Sequence, residues 1–296
     1  MYLALALAWP FAAGIGGQRP VFRVQTRLVV VHATVRNGRG ELVTTLNRDA
    51  FTVYENGKRQ PLALFQRDDL PVSLGLLIDN SGSMRTLRST VEAAALALAR
   101  ASNPHDEIFV LNFNDKAHVD VPFTSDLRVL DAGIRRVDAI GGTAMRDALN
   151  LAQTYLSEHG TRDRKVLLVI TDGVDNASLV TREHVERQAE ERDTMVFAVG
   201  LFGDAEKKGR GRRELDEITD KTGGLAYYPA GIDDMEAVAL EIARQIRNQY
   251  TIAYEPTNQA LDGSYRTIRV AVAGPEHMSV RTRPGYLATT DAQGQK

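Results

Sequence analysis

Cysteine is absent from all 296 residues, which excludes disulfides, thiolate metal sites and cysteine nucleophiles. That absence leaves the compartment open, because cytosolic and exported proteins can both do without it. A dominant charge is lacking too: 36 Lys and Arg against 38 Asp and Glu give a net charge of −2. A general nucleic-acid binder would be clearly basic. Histidine is sparse, and His32, His105, His118, His159, His184 and His277 show no ligand spacing, so packing or surface roles are expected of them. Long apolar runs are also missing. The stretch from Tyr2 to Gly17 falls short of the roughly 20 residues that cross a bilayer, so no transmembrane span is expected. It fits the apolar core of a secretory signal, with small residues Ala12 to Gly14 near a plausible cleavage point, although no Lys or Arg precedes it. Export to a periplasmic, secreted or cell-surface location is the expectation.

What is present is an ordinary globular composition, 43% hydrophobic and 25% charged, in a chain long enough to bury a core without staples. Up to Asp69 the pattern is that of strands: Thr26 to Thr34, Leu42 to Thr44, Phe51 to Tyr54 and Leu62 to Phe65, with turn signals at Asn37-Gly38 and Asn56-Gly57. From Pro71 the regime changes. Val72 to Ile78, Ile108 to Phe113 and Val166 to Ile170 are continuous apolar runs, as expected of strands covered on both faces. Helical periods separate them, for example Leu87, Val91, Ala94 and Leu98, or Met235, Val238, Ile242 and Ile246. Alternation of this kind predicts an open, mainly parallel sheet with helices on both faces. After Tyr250 strands return, at Tyr250 to Tyr254, Tyr265 to Val272 and Met278 to Arg283. The two flanks are therefore expected to pack together as a small β-sandwich-like unit into which the α/β domain is inserted. The expected boundaries are 1–20 for the signal-like segment, 21–70 and 250–288 for the β flanks, 71–249 for the inserted domain and 289–296 for a polar tail.

Three segments carry the candidate chemistry. Asp79-Asn80-Ser81-Gly82-Ser83 follows the first buried strand, Gly141-Gly142-Thr143 precedes a helix, and Thr171-Asp172-Gly173 ends another buried strand. Each alone is also what a turn or a helix cap would use, so both readings stand for any one of them. All three fall at the carboxyl end of the predicted sheet, where open α/β folds bind ligands.

This set resembles the metal-ion-dependent adhesion site of the von Willebrand factor A (VWA) family, the fold of integrin inserted domains and of many bacterial surface proteins. Asp79, Ser81, Ser83, Thr143 and Asp172 match its metal site residue by residue, and the resemblance covers roughly Pro71 to Asn248. The strand-bearing flanks look like a bacterial subgroup of VWA-related proteins. The resemblance implies a divalent cation touched directly by Ser81, Ser83 and often Thr143, with Asp79 and Asp172 acting largely through water. Hard oxygen donors suit Mg²⁺ or Mn²⁺, and Ca²⁺ less well. A shell poor in direct carboxylates leaves the ion seeking an Asp or Glu of a protein partner, so metal-dependent adhesion is the expected function, with no nucleic acid involved. Asn80, Asp175, Asn176, Lys207, Lys208 and Arg210 are candidate partner-binding residues, the basic ones by steering an acidic ligand. The alternatives are an assembly or adaptor factor whose metal only braces loops, or a Mg²⁺-dependent hydrolase. Catalysis is disfavoured because Ser81 stands where a haloacid dehalogenase-type enzyme needs a second Asp. Neither a Gly-x-Ser-x-Gly elbow nor a phosphate loop is present. The oligomeric state is not legible.

Overall fold

The computed structural model describes residues 28–67, 69–135, 139–202, 209–274 and 277–289. The signal-like segment and the tail beyond Thr289 lie outside them, as do Lys207 and Lys208.

The inserted domain is built on one six-stranded sheet. Its strands are β5 (Val72–Asp79), β6 (Glu107–Phe113), β7 (Ala117–Thr124), β8 (Arg164–Thr171), β9 (Thr194–Gly200) and β10 (Ala226–Tyr227), in the order β10-β9-β8-β5-β6-β7. All neighbours are parallel except β7, which runs antiparallel to β6 at the edge. Every residue of β5 is buried, as a central strand covered on both faces requires. One face is covered by α1 (Arg88–Ala101), α2 (Leu127–Ile134) and α6 (Met235–Arg247), which contribute Val91, Leu98, Leu130 and Ile242 to one core. The other face carries α3 (Met145–His159), α4 (Arg182–Glu191) and α5 (Arg210–Thr222), with Leu149, Leu156, Val185 and Ile218 in a second core. Packing across β5 is close. A Cβ added at Gly75 would lie 2.4 Å from Phe109 and 2.6 Å from Leu167, so this strand position needs glycine.

The flanks form two four-stranded sheets. The first contains β1 (Val29–Arg36), β4 (Leu62–Gln66), β11 (Tyr250–Tyr254) and β13 (Ser279–Arg281), ordered β13-β1-β11-β4. The second contains β2 (Phe51–Glu55), β3 (Lys58–Gln60), β12 (Tyr265–Val272) and β14 (Gly285–Leu287), ordered β14-β12-β2-β3. Both sheets mix strands from before and after the inserted domain, and Val29, Val31, Val53, Tyr250, Ile252 and Ile268 fill their shared core. The expected strand at Leu42 to Thr44 makes only one bridge, Arg36 to Leu42. Two short strands, β3 and β14, leave no periodic signal in the sequence. Three residues are too few for alternation to register. The turn between β2 and β3 is a two-residue one, Asn56 and Gly57 both having positive φ (48° and 78°), the geometry that suits the strand twist.

β11 follows α6 closely, so an inner strand of the first sandwich sheet is continuous with the last helix of the inserted domain. Arg164, 3% exposed, rivets this junction. It donates to the Ile246 carbonyl (2.6 Å), to Gln249 Oε1 (2.6 Å) and to the Leu70 carbonyl (3.3 Å).

Candidate metal centre

The strand order reverses at β5. The chain moves from β5 to β6 on one side and returns to β8 on the other, so the carboxyl ends of β5 and β8 flank the crevice where such folds bind ligands. Asp79 is the last residue of β5, and Asp172 immediately follows β8. Both are thus placed by the sheet rather than by flexible loops.

Asp79 is buried (1% exposed). Its Oδ1 accepts from the Ser81 backbone N–H (2.8 Å) and its Oδ2 from the Thr171 hydroxyl (2.5 Å). The first of these bonds curls the chain so that Ser81 and Ser83 turn back together, their hydroxyl oxygens 3.1 Å apart. Ser83 Oγ in turn donates to Asp172 Oδ1 at 2.8 Å. The third segment is tied to the first by Gly82 N–H, which donates to the Gly141 carbonyl (3.0 Å). Gly141 has φ +82°, a region a side chain rarely tolerates, and a Cβ there would lie 2.2 Å from Asp115 Oδ2. Thr143 is buried (3% exposed). Its hydroxyl approaches Gly173, where an added Cβ would sit 3.2 Å away. All five expected metal residues therefore converge on one place, with Ser83 and Gly82 exposed at its mouth.

The electrostatics of this cluster are those of an unneutralised acid pair. Burial pushes Asp79 up to about 6, against the pull of its Thr171 and Ser81 hydrogen bonds, and the nearby Asp172 charge adds to the rise. Asp172 is raised as well, again by burial. Among the described residues neither carboxylate forms a salt bridge, and no third His, Asp or Glu joins them. Two carboxylates and three hydroxyls, all hard oxygen donors, fit a small divalent cation with waters completing its shell.

The candidate partner-binding residues separate into two groups. Asn80 is 2% exposed and donates to Asn112 Oδ1 (2.6 Å), so it braces β6 instead of facing a partner. Asp175 is likewise turned inward. Burial would raise its pKa, yet hydrogen bonds from Arg146, Ser178 and their backbone amides hold it below the usual carboxylate range. Asn176 is exposed, but its Oδ1 accepts from the Thr143 N–H (2.9 Å), so it also positions a metal residue. Arg210 is exposed at the start of α5. The next residue, Gly211, abuts Val174 of the loop after Asp172, which puts Arg210 at the metal-bearing end.

Two supporting residues carry little signal in the sequence. Thr171 fixes Asp79, and its place one residue before Asp172 was the only available hint. Asp115, in the turn between β6 and β7, accepts from the Gly142 N–H (2.7 Å) and so holds the loop that carries Thr143. Nothing local to Asn114-Asp115-Lys116 distinguishes it from a turn former.

Residues 74–174 match the family model of the von Willebrand factor type A domain. In sequence, the chain is 28% identical over 245 residues to calcium-activated chloride channel regulator 1 of Macaca mulatta, covering 75% of this chain and 25% of that protein. It is 27% identical over 163 residues to calcium-activated chloride channel regulator 3A-1 of Mus musculus, covering 52% and 17% respectively. The chain thus spans a quarter or less of these relatives. In structure, it is similar to the vWF domain of the type V pili tip protein Mfa5 from Porphyromonas gingivalis, with TM-score 0.51, 12% identity, and coverage of 60% of this chain and 95% of that one. It is also similar to proximal thread matrix protein 1 of the mussel byssus, with TM-score 0.51, 16% identity, and coverage of 65% and 51%. With the sheet order and the flanking helices, these similarities give the inserted α/β unit the fold of a von Willebrand factor type A domain, and residues 74–174 match that family's model.

Proposed function

We propose that the cluster holds a divalent cation of the Mg²⁺ or Mn²⁺ kind and that the chain uses it to bind an acidic group of a protein partner. The observation that carries this reading is the chain of short polar contacts, Asp79 to Ser81, Ser81 to Ser83 and Ser83 to Asp172, at the mouth of the switch point. Ser81, Ser83 and Thr143 would supply hydroxyl donors, and Asp79 and Asp172 would orient them and the waters between. A cation held by these residues would supply an electrophilic attachment point for an incoming carboxylate. The rest is done by the chain: Thr171 and Ser81 orient Asp79, Asp115 and Asn176 hold the Thr143 loop, and exposed Arg210 draws negative charge towards that end. Binding of this sort makes and breaks no bond, which suits a non-enzymatic adhesion module. The pili tip and byssal thread proteins to which the fold is similar and the signal-like apolar run at Tyr2 to Gly17 both favour an exported location.

Two measurements test the proposal. Titration of Mg²⁺ and Mn²⁺ into the protein, followed by calorimetry, should show one site that Asp79→Ala abolishes. Partner capture should be strong in Mg²⁺ and lost in EDTA. Capture unaffected by EDTA and by Asp79→Ala overturns the metal bridge and leaves the cation, if bound, as a brace for the loops.

A further inference from the structure

Two large apolar side chains stand in solvent on the loops that frame the metal cluster. Leu179 is 94% exposed and Ile140 56% exposed. An isolated exposed leucine needs no explanation, but these two are placed and held. Ile140 immediately precedes the Gly141-Gly142-Thr143 loop, and its N–H donates to the Asn80 carbonyl (2.9 Å). Leu179 lies in the segment after Asp172 whose Asn176 and Ala177 amides both donate to the Thr143 carbonyl (3.0 and 3.2 Å). Its own N–H and that of Val180 donate to the Asp147 carboxylate (3.0 and 2.9 Å) in the first turn of α3. The backbone beneath each side chain is therefore fastened, and neither residue can fold away to hide its apolar surface. The residues at the mouth itself are polar or small, and Ser83, Gly141 and Asn176 are all exposed there.

We infer that this face recognises a protein segment whose acidic side chain is bracketed by apolar residues, with Ile140 and Leu179 as its specificity-determining contacts. The inference rests on the metal-bridge reading, and it adds what that reading leaves open, namely how one carboxylate is told from another. A cation binds any accessible Asp or Glu, so selectivity must come from the neighbours of the acid. Pre-fastened apolar contacts on either side supply it at little cost in loop ordering. An all-polar acidic segment would leave both side chains in water and forgo that gain.

The test uses the full chain and synthetic Gly/Ser peptides displayed at high density, each with a single glutamate flanked on both sides by either leucine or glycine. In Mg²⁺ the leucine-flanked peptide should bind at least tenfold more tightly than the glycine-flanked one. Leu179→Ser, with Ile140→Ser as a second variant, should erase that preference while leaving glycine-flanked binding and the melting temperature unchanged, because both positions are exposed. Equal binding of the two peptides in Mg²⁺, or a preference that survives both substitutions, overturns the apolar bracket and leaves the metal bridge standing. Binding that persists in EDTA, or with glutamate replaced by glutamine, overturns the metal bridge itself, and the inference with it.

Discussion

At the amino end of the central strands, Arg164 is buried among acceptors: the Ile246 and Leu70 carbonyls and Gln249 Oε1. Gln249 then passes its own amide to Thr34 Oγ1 (3.2 Å) of the sandwich, and beside them Asp106 accepts from the Val72 and Asn103 amides. At the carboxyl end of the same strands, the partners of Asp79 and Asp172 among the described residues are hydroxyls and amides, and both carboxyls are pushed towards protonation by burial. One end spends its polar groups on joining two structural units. The other keeps an unneutralised pair of acids at an open mouth. A buried charge is tolerated when enough partners surround it, and the difference in partners separates a structural junction from the proposed metal site within one sheet.

The comparison is broken most forcefully at the junction. Arg164→Met strands the Ile246 carbonyl and Gln249 in the interior and should lower the unfolding free energy by about 3 kcal/mol, measured by urea denaturation. The opposite result is expected of Asp79→Asn. In EDTA the variant should be as stable as the parent or more so, since a carboxyl raised by burial favours the folded state less when it ionises. What it should lose is the gain that Mg²⁺ confers, about 2.7 kcal/mol for the parent at a hundredfold excess over Kd, read as a missing shift in melting temperature. Equal destabilisation by the two substitutions would erase the distinction between the ends.

A pH titration sharpens the junction side. His32 of β1, beside Thr251, Arg164 and Arg283, is pushed down to about 3 by burial and then by the two guanidinium charges. It stays neutral when folded but takes a proton near pH 6.5 when unfolded. The unfolded state therefore binds more protons below pH 6.5, and stability falls as pH drops from there towards 3. The loss should reach about 2 kcal/mol between pH 7 and pH 5, and His32→Gln should flatten that part of the profile. The smallest effect belongs to the binding side. Asp115→Asn keeps its fold but loosens the Gly142 amide, and should weaken Mg²⁺ binding about tenfold by calorimetry, with little change in stability measured in EDTA.

Much of this layout is legible in the residues. Runs as apolar as Val72 to Ile78, broken by the single polar Ser73, mark strands buried on both faces when turn signals bound them, and helical spacing such as Met235, Val238, Ile242 and Ile246 marks the helices. Asp79, Ser81, Ser83, Thr143 and Asp172 stand out through their resemblance to the metal site of the von Willebrand factor A family, since a place beside a strand end or a helix start suits a turn or a cap equally well. Supporting residues such as Asp115 and Thr171 do not, because a hydrogen bond to a distant loop leaves no periodic trace in the chain. Asn80 and Asp175 mislead for the related reason that a polar residue in a turn signal looks solvent-facing. Here Asn112 and Arg146, far away in sequence, draw them inward.

Local chemistry along the chain thus determined which segments alternate, where the sheet must be covered, and which polar turns follow its strands. Burial and short-range propensity are properties of consecutive residues, so they can be read in order. Only the tertiary structure decided that the flanks interleave into two sheets, that Arg164 joins them to the inserted domain, and that the hydroxyls of Ser81 and Ser83 meet Asp172. Those outcomes depend on pairings between residues as distant in sequence as Thr34 and Arg281, whose partners the chain can select only once both are folded into place.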